Sequence, residues 1–328
     1  MNILIVKPKA KLPVVNYGGT ERVIWCLAKE LSRMGHHVYV LVAPGSTCPF
    51  ADVIEYRDDV PMAQLVPDGI DIVHYQERVD DSLSHLPHVV TMHGNVCHAE
   101  LDPNTIFVSR NHARRFGSDC YVYNGMDWDE YGKVDLERER TYYHFLGKAA
   151  WRVKNVQGAI DIVKAVPGAR LKVLGGYRFN FKMGIRLTFS PRIGFEGMVG
   201  GERKFSLLNG SRGLIFPVLW DEPFGLAITE SLYFGAPVFG TPYGSLPELV
   251  TSDVGFLTDS QSEMVAHLTG DCRYSPTVCH EYAADKFNSR VMAEEYLKKY
   301  EQVLNGQVLN DTGRLKINTS YTHYARKA

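Results

Sequence analysis

No stretch of this chain strings together the roughly 18 apolar residues that a membrane-spanning helix needs. The apolar run at 3–6 reads as a first strand, with no basic leader before it and no small-residue cleavage site after it. The chain is therefore expected in the cytosol, with a peripheral contact to the inner face of the membrane left open. Net charge is nearly absent, since 36 Lys and Arg face 37 Asp and Glu. Nothing global favours nucleic acid as a partner. Six cysteines (Cys26, Cys48, Cys97, Cys120, Cys272, Cys279) form no Cys-x-x-Cys pair, which suits reduced thiols better than a disulfide frame or a zinc site. Neither half carries Gly-x-Gly-x-x-Gly after its first strand, which disfavours a nicotinamide-dependent oxidoreductase.

What is present is an ordinary globular composition, 45% hydrophobic and 22% charged over 328 residues. That length suggests two domains, each able to bury its own core. In the first half, apolar runs at 3–6, 38–43, 52–56, 70–75, 89–93, 106–109 and 121–123 alternate with helical or irregular pieces, the pattern of a mostly parallel sheet covered on both faces. A helix after Gly18 and Gly19 carries Val23, Ile24, Leu27, Leu31 and Met34 at helical spacing and closes at Gly35. The charged segment 127–140 is the candidate linker. Beyond it, strands near 143–146, 169–174, 193–199 and 213–217, with a helix over 156–166, predict a second doubly wound domain. A last helix over 289–304 shows a stripe of Val291, Tyr296, Leu297, Tyr300 and Val303.

The chemistry concentrates between Leu219 and Glu248. Glu222 and Glu230 stand eight positions apart, the first in a loop bounded by Pro and Gly, the second inside a helix that starts near Gly225. Such a helix start presents unpaired N–H groups and a positive dipole end, suited to phosphate. A carboxylate just before it can accept hydrogen bonds from ligand hydroxyls, and one further in can accept two from a diol such as ribose. Phosphate, ribose and sugar together describe a nucleotide sugar. Lys148 and Lys154, on one loop ahead of a helix, can neutralise a diphosphate. His93, at a strand's carboxyl end, is a candidate for the site. Cys97 and His98 lie close to it in sequence, but spacings of four and five fit no common metal site. The arginines Arg110, Arg114 and Arg115 read as a solvated helix face, with contact to an anionic acceptor or a membrane surface as the alternative.

Glu222-x7-Glu230 around Phe224, Gly225 and Leu226, followed by Gly235-x-Pro237-Val238 and Pro247-Glu248, resembles the donor-site motif of retaining GT-B glycosyltransferases of family 4. Gly18-Gly19-x-Glu21, Thr91-x-His93-Gly94, Asn124-Gly125-x-Asp127 and Lys148-x5-Lys154 resemble that family's stretches in the expected order, over about 1–304. Two departures stand out: Lys148 replaces the usual arginine, losing its planar fork, and Asn155 replaces the usual glycine. The resemblance implies two Rossmann-like doubly wound domains of the α/β class facing across a cleft. These are an acceptor-binding domain over 1–130, a nucleotide-sugar domain over 131–304, and a tail over 305–328 that crosses back to the first. It implies Glu222, His93, Lys148 and Lys154 as catalytic residues, and Gly18, Gly19, Gly175, Met198, Phe224, Gly225, Leu226 and Glu230 as donor-binding. The expected activity is transfer of a sugar, with retention, from a UDP- or GDP-sugar to an acceptor hydroxyl. No bound metal is expected, there being no Asp-x-Asp in a position to hold one, and the acceptor is not readable. A catalytically silent nucleotide-sugar-binding subunit and a nucleotide-sugar 2-epimerase are the alternatives. The segment 177–191, rich in basic and aromatic residues, would border the base pocket or the acceptor groove.

Overall fold

The computed structural model describes residues 1–14, 18–95, 100–180, 186–270, 273–318 and 320–323. The chain forms two compact units, one of Met1–Trp128 with Phe287–Thr319, the other of Asp129–Lys286 with Ser320–Ala328. In chain order the first unit holds β1 (Asn2–Val6), α1 (Gly19–Arg33), β2 (His37–Val42), β3 (Asp52–Glu55), α2 (Met62–Leu65), β4 (Ile72–Tyr75), β5 (His88–Met92), β6 (Thr105–Phe107) and α3 (Arg110–Arg115). Its strands make a six-stranded parallel sheet in the order β3-β2-β1-β4-β5-β6. Fully buried Ile3, Leu4 and Ile5 fill the central strand, as strands covered on both faces require.

The second unit follows with β7 (Tyr142–Leu146), α4 (Val156–Ala165), β8 (Leu171–Leu174), a two-residue antiparallel pair of β9 (Phe179–Asn180) and β10 (Arg186–Leu187), and β11 (Ile193–Gly197). Then come α5 (Gly201–Asn209), β12 (Ser211–Phe216), α6 (Leu226–Tyr233), β13 (Val238–Gly240), α7 (Leu246–Leu249), β14 (Gly255–Leu257), α8 (Gln261–Thr269) and α9 (Pro276–Lys286). Its sheet, parallel throughout, runs β11-β8-β7-β12-β13-β14. The order reverses direction between β7 and β12, and ligands of such sheets bind outside the strands' carboxyl ends at that reversal. Among the described residues no helix is long and apolar enough to cross a membrane.

Three elements differ from the sequence reading. The run at 121–123 makes only a single parallel bridge, Phe107 to Tyr121, because the chain turns away at Asn124 and Gly125. The strand β13 is too short, and too closely flanked by Gly and Pro, to stand out as an apolar run. The last helix, α10 (Ser289–Leu304), packs on α1 and β5 of the first unit. Its buried face is Met292, Ala293, Tyr296, Tyr300 and Val303, while Val291 is exposed.

What holds α10 there is a buried polar chain. His74 on β4 lies 2.7 Å through Nδ1 from the Tyr300 hydroxyl and 2.7 Å through Nε2 from Thr91 Oγ1. The Thr91 hydroxyl in turn lies 2.9 Å from that of Tyr296. Each side chain of this network has a hydrogen-bond partner, as buried polar groups require. In the second unit His144 on β7 is likewise buried, its Nδ1 2.6 Å from Ser211 Oγ. Burial pushes both imidazoles down to about 3, with His93 adding to the effect at His74 and Arg140 at His144.

A folded-state value below the unfolded one means that this stability is complete above pH 6.5 and drains away as pH falls toward 3. Each such histidine should therefore cost its unit about 1.4 kcal/mol by pH 5.5, before carboxylates begin to titrate. Urea unfolding followed between pH 7.5 and 5.5 should show the midpoint falling. A flat profile would contradict the buried neutral histidines.

Candidate active site

The second unit gathers its candidate residues at the carboxyl ends of β7, β8, β11 and β12. Glu222, on the loop after β12, is buried, and its Oε2 accepts from Lys154 Nζ at 2.6 Å and from Trp220 Nε1 at 2.8 Å. The Lys154 ammonium also lies 4.9 Å from the centre of the Trp220 ring and 5.3 Å from that of Phe216. Two glycines shape the loop. Gly225 caps α6 with φ 89 and no side-chain hydrogen bond, leaving that helix start to its backbone N–H groups. Gly244, φ 64, comes so near that a Cβ there would fall 2.2 Å from Glu222 N. Phe224 is buried and its carbonyl accepts from Ser245 Oγ at 2.7 Å, so it serves the loop's shape, whereas Leu226 is partly exposed at the helix start.

Glu230, on α6, is buried too, and its Oε1 accepts from Lys204 Nζ at 2.6 Å and from the Tyr131 hydroxyl at 2.5 Å. Sequence reasoning missed both partners. Lys204 lies on α5, four residues before Leu208 on the same face, and that lysine in an otherwise buried stripe was the available signal. Tyr131 belongs to the segment read as linker.

The departure at 155 has a structural cause. Asn155 adopts the left-handed conformation, φ 54 and ψ 49, and is the one such non-glycine among the described residues. Asparagine is among the few side chains that tolerate it. The amide also works: its Oδ1 accepts from Gly158 N at 3.1 Å, capping α4, and its Nδ2 donates to Pro217 O at 2.8 Å. Asn155 thus joins the Lys154 turn to the end of β12.

Lys148 is exposed, its ammonium 5.2 Å from the centre of the Trp151 ring. The loops behind it interlock through backbone bonds: Ala149 N donates to Gly175 O at 3.0 Å, Gly175 N to Gly197 O at 2.7 Å and Gly197 N to Gly176 O at 3.2 Å. At Gly175, φ 114, a Cβ would sit 2.1 Å from Gly147 O; this is a close approach only glycine permits. Met198, at the end of β11, is 39% exposed. Arg178 in the 177–191 segment donates to Thr188 O at 2.6 Å and Ile193 O at 2.8 Å, closing the base of the β9–β10 pair. Phe181 and Lys182 of that segment lie outside the described residues, as does Cys272.

His93, Gly18 and Gly19 belong to the first unit. His93 follows β5, its Nε2 2.8 Å from Gln76 Oε1. Burial, with the nearby Lys7 charge, holds its pKa down to about 3, so at neutral pH the ring is uncharged and donates to Gln76. Gly18 is extended, φ −172, at the start of α1, and a Cβ there would lie 2.9 Å from Glu21 Oε2. Cys97 and His98 lie outside the described residues. Arg110 caps the Tyr121 ring at 5.6 Å and Arg114 lies 3.9 Å from Asp119. Among the described residues no group of three or more His, Cys, Asp or Glu is placed to hold a metal ion.

Comparison with known proteins adds the following. Residues 128–269 match the family described as Glycosyl transferases group 1. The chain is similar to the structure of AviGT4, a glycosyltransferase involved in avilamycin A biosynthesis, at 21% identity and TM-score 0.77, over 94% of this chain and 99% of that one. It is similar to sucrose-phosphate synthase from Thermosynechococcus elongatus at 14% identity and TM-score 0.68, over 93% and 100%. A third similar structure, Anabaena Alr3699/HepE in complex with UDP and glucose, shows 15% identity and TM-score 0.64 over 92% and 100%. At these identities the likeness is one of fold, that of GT-B glycosyltransferases. Curated protein sequences contain no match to the chain.

The double duty of Asn155 can be tested directly. Both variants lose the cap and the bond to Pro217 O, about 1 kcal/mol or more, and alanine alone also carries the strain of positive φ, about 1–2 kcal/mol further. Chemical denaturation of Asn155→Ala and Asn155→Gly should rank them in that order.

Proposed function

We propose, on the premise that the chain is a GT-B glycosyltransferase whose residues 128–269 form a glycosyl transferases group 1 domain, that it moves a sugar from a nucleoside-diphosphate sugar to an acceptor hydroxyl with retention at the anomeric carbon. The place of such a reaction is in the building of a glycan, glycolipid or polysaccharide. The observation that carries this reading is the buried Glu222–Lys154 pair beside an uncapped helix start, at the reversal point of a parallel sheet.

In the proposed reaction the bond from the anomeric carbon to the β-phosphate oxygen breaks with its electron pair going to the diphosphate. The acceptor oxygen bonds to the same face, and its proton passes to the departing phosphate. Charge builds on that phosphate, so fixed positive groups aimed at it lower the barrier. Exposed Lys148 and the N–H groups at the start of α6 are the groups with room to meet it. Lys154 shares its charge with Glu222, whose remaining acceptor capacity is offered to sugar hydroxyls. Glu230, oriented by Lys204 and Tyr131, is assigned the ribose diol. Gly175 and Met198 border the nucleoside. A uridine nucleotide is the first candidate donor, because Alr3699/HepE is described in complex with UDP and with UDP-glucose.

Alanine at 222 would strand the Lys154 ammonium, which is only 9% exposed, and removing one partner of a buried pair costs about 3–5 kcal/mol. Glutamine is the cleaner probe. Glu222→Gln, which keeps an oxygen for Lys154 and Trp220 but not the charge, should lose at least about a hundredfold in transfer, on the order of 2.7 kcal/mol, and should melt less far below the parent than Glu222→Ala; a variant that keeps its rate removes the assignment. A nucleoside diphosphate at a hundred times its Kd should stabilise the chain by about 2.7 kcal/mol. A thermal-shift series with UDP, GDP and ADP reads out the base.

A further inference from the structure

The end of the described chain lies against the segment that leads into Glu222. Asp221 N donates to Tyr321 O at 2.8 Å and His323 N to Leu219 O at 2.8 Å, so Trp220 and Thr322 form an antiparallel bridge. Leu219 N also donates to Val153 O at 2.7 Å, one residue before Lys154. The peptide at 219–221 is thus bonded both to the Lys154 turn and to residues 321–323.

Side chains reinforce the pairing. The His323 ring stacks on Tyr243 with centroids 4.0 Å apart and planes 16° from parallel, while its Nε2 lies 2.9 Å from Asp221 Oδ1. Tyr243 precedes Gly244, whose backbone presses on Glu222, and Ser245 N donates to Glu222 O at 2.9 Å. One imidazole therefore touches both the loop that supports Glu222 from one side and the residue that precedes it in sequence.

We infer that residues 321–323 are a strap that fixes the conformation of the Glu222 loop, and that His323 is its positioning residue. It acts through Asp221 and Tyr243 and does not itself meet the sugar. The consequence for turnover rests on the reading of Glu222 given above. Without the strap, residues 219–221 lose two backbone hydrogen bonds and the imidazole on Asp221, which frees the loop to tilt its carboxylate, and small misplacements of a substrate-orienting group are costly to rate. The nucleotide contacts proposed for Gly175, Met198 and α6 lie outside the strap, so nucleotide affinity should be spared.

Three forms test this: a chain ending at Asn318, His323→Ala and His323→Gln. Hydrogen exchange should quicken at the amides of 219–222 in the first two, with an altered Trp220 emission, since that indole donates to Glu222. With the nucleotide that stabilises the parent, kcat should fall about tenfold while the Kd for UDP or GDP stays within twofold. His323→Gln, which can still donate to Asp221, should recover part of the loss. A synthetic peptide of residues 318–328, added at millimolar concentration, should restore part of the truncated chain's rate. A truncated chain with unchanged exchange at 219–222, or with kcat equal to that of an active parent, overturns the strap. A parent that transfers no sugar, but whose 219–222 amides loosen on truncation, leaves the strap standing and removes the functional reading instead.

Discussion

The second unit is arranged around one buried ion pair, Lys154 with Glu222. Taking two charges out of water costs several kcal/mol each, and their attraction offsets this only when the geometry is good and the remaining valences are met. Here the carboxylate takes a second hydrogen bond from Trp220, and the ammonium lies near two aromatic rings. Meeting those demands sets the backbone. Three left-handed residues surround the pair: Asn155 at φ 54, Gly225 at φ 89 and Gly244 at φ 64. The first turns the chain behind Lys154, the second starts α6, and the third lets a neighbouring loop press against Glu222. Motif residues without a charge of their own are thus accounted for by the charge pair they enclose.

The first unit has a comparable constraint at its margin. Asp127 is buried with Lys29 Nζ at 2.7 Å and Arg33 at 3.2 Å, both from α1. Met126 N donates to Phe287 O at 2.9 Å and Ser289 N to Met126 O at 2.8 Å. At Gly125 a Cβ would fall 2.1 Å from Asn288 O. The two segments by which the chain leaves the unit at 128 and re-enters it at 287 are therefore bonded side by side. The Asn124-Gly125-x-Asp127 stretch, noticed in the sequence only as a resemblance, is the packing of that junction.

Sheets and long helices were legible because their signals are local. Continuous apolar runs such as 3–6 and 38–42 mark strands covered on both faces, and α1 and α10 carry stripes at helical spacing. Addresses were not legible. The stripe of α10 announces a buried face without saying whether it is covered by residues before or after it, and its placement depends on His74 and Thr91, more than two hundred positions away. The site divides in the same way. Glu222, Glu230 and the loop glycines form one sequence pattern, whereas Lys204, Tyr131 and His323 reach it from α5, from the linker and from the tail. A lysine on an amphipathic helix, a tyrosine in a charged linker and a histidine near the end of a polar tail each have an ordinary solvated reading. Only the fold supplies their partners.

The pairing of both motif carboxylates with lysines resolves an electrostatic difficulty in the proposed reaction. A diphosphate placed 4 Å from a bare glutamate would meet a repulsion of about 4 kcal/mol per unit charge at an effective dielectric of 20. Glu222 is cancelled by Lys154 and Glu230 by Lys204, each at 2.6 Å. The two pairs cancel the charges of Glu222 and Glu230, so neither sets a bare negative charge against the helix dipole that favours an anion at the α6 start. Carboxylates can then present oxygen acceptors to hydroxyls close to an anion without repelling it. On this argument the second lysine is as necessary to the motif as the second glutamate. A chain that kept Glu230 while losing Lys204 would be expected to bind its nucleotide less well than one that lost both.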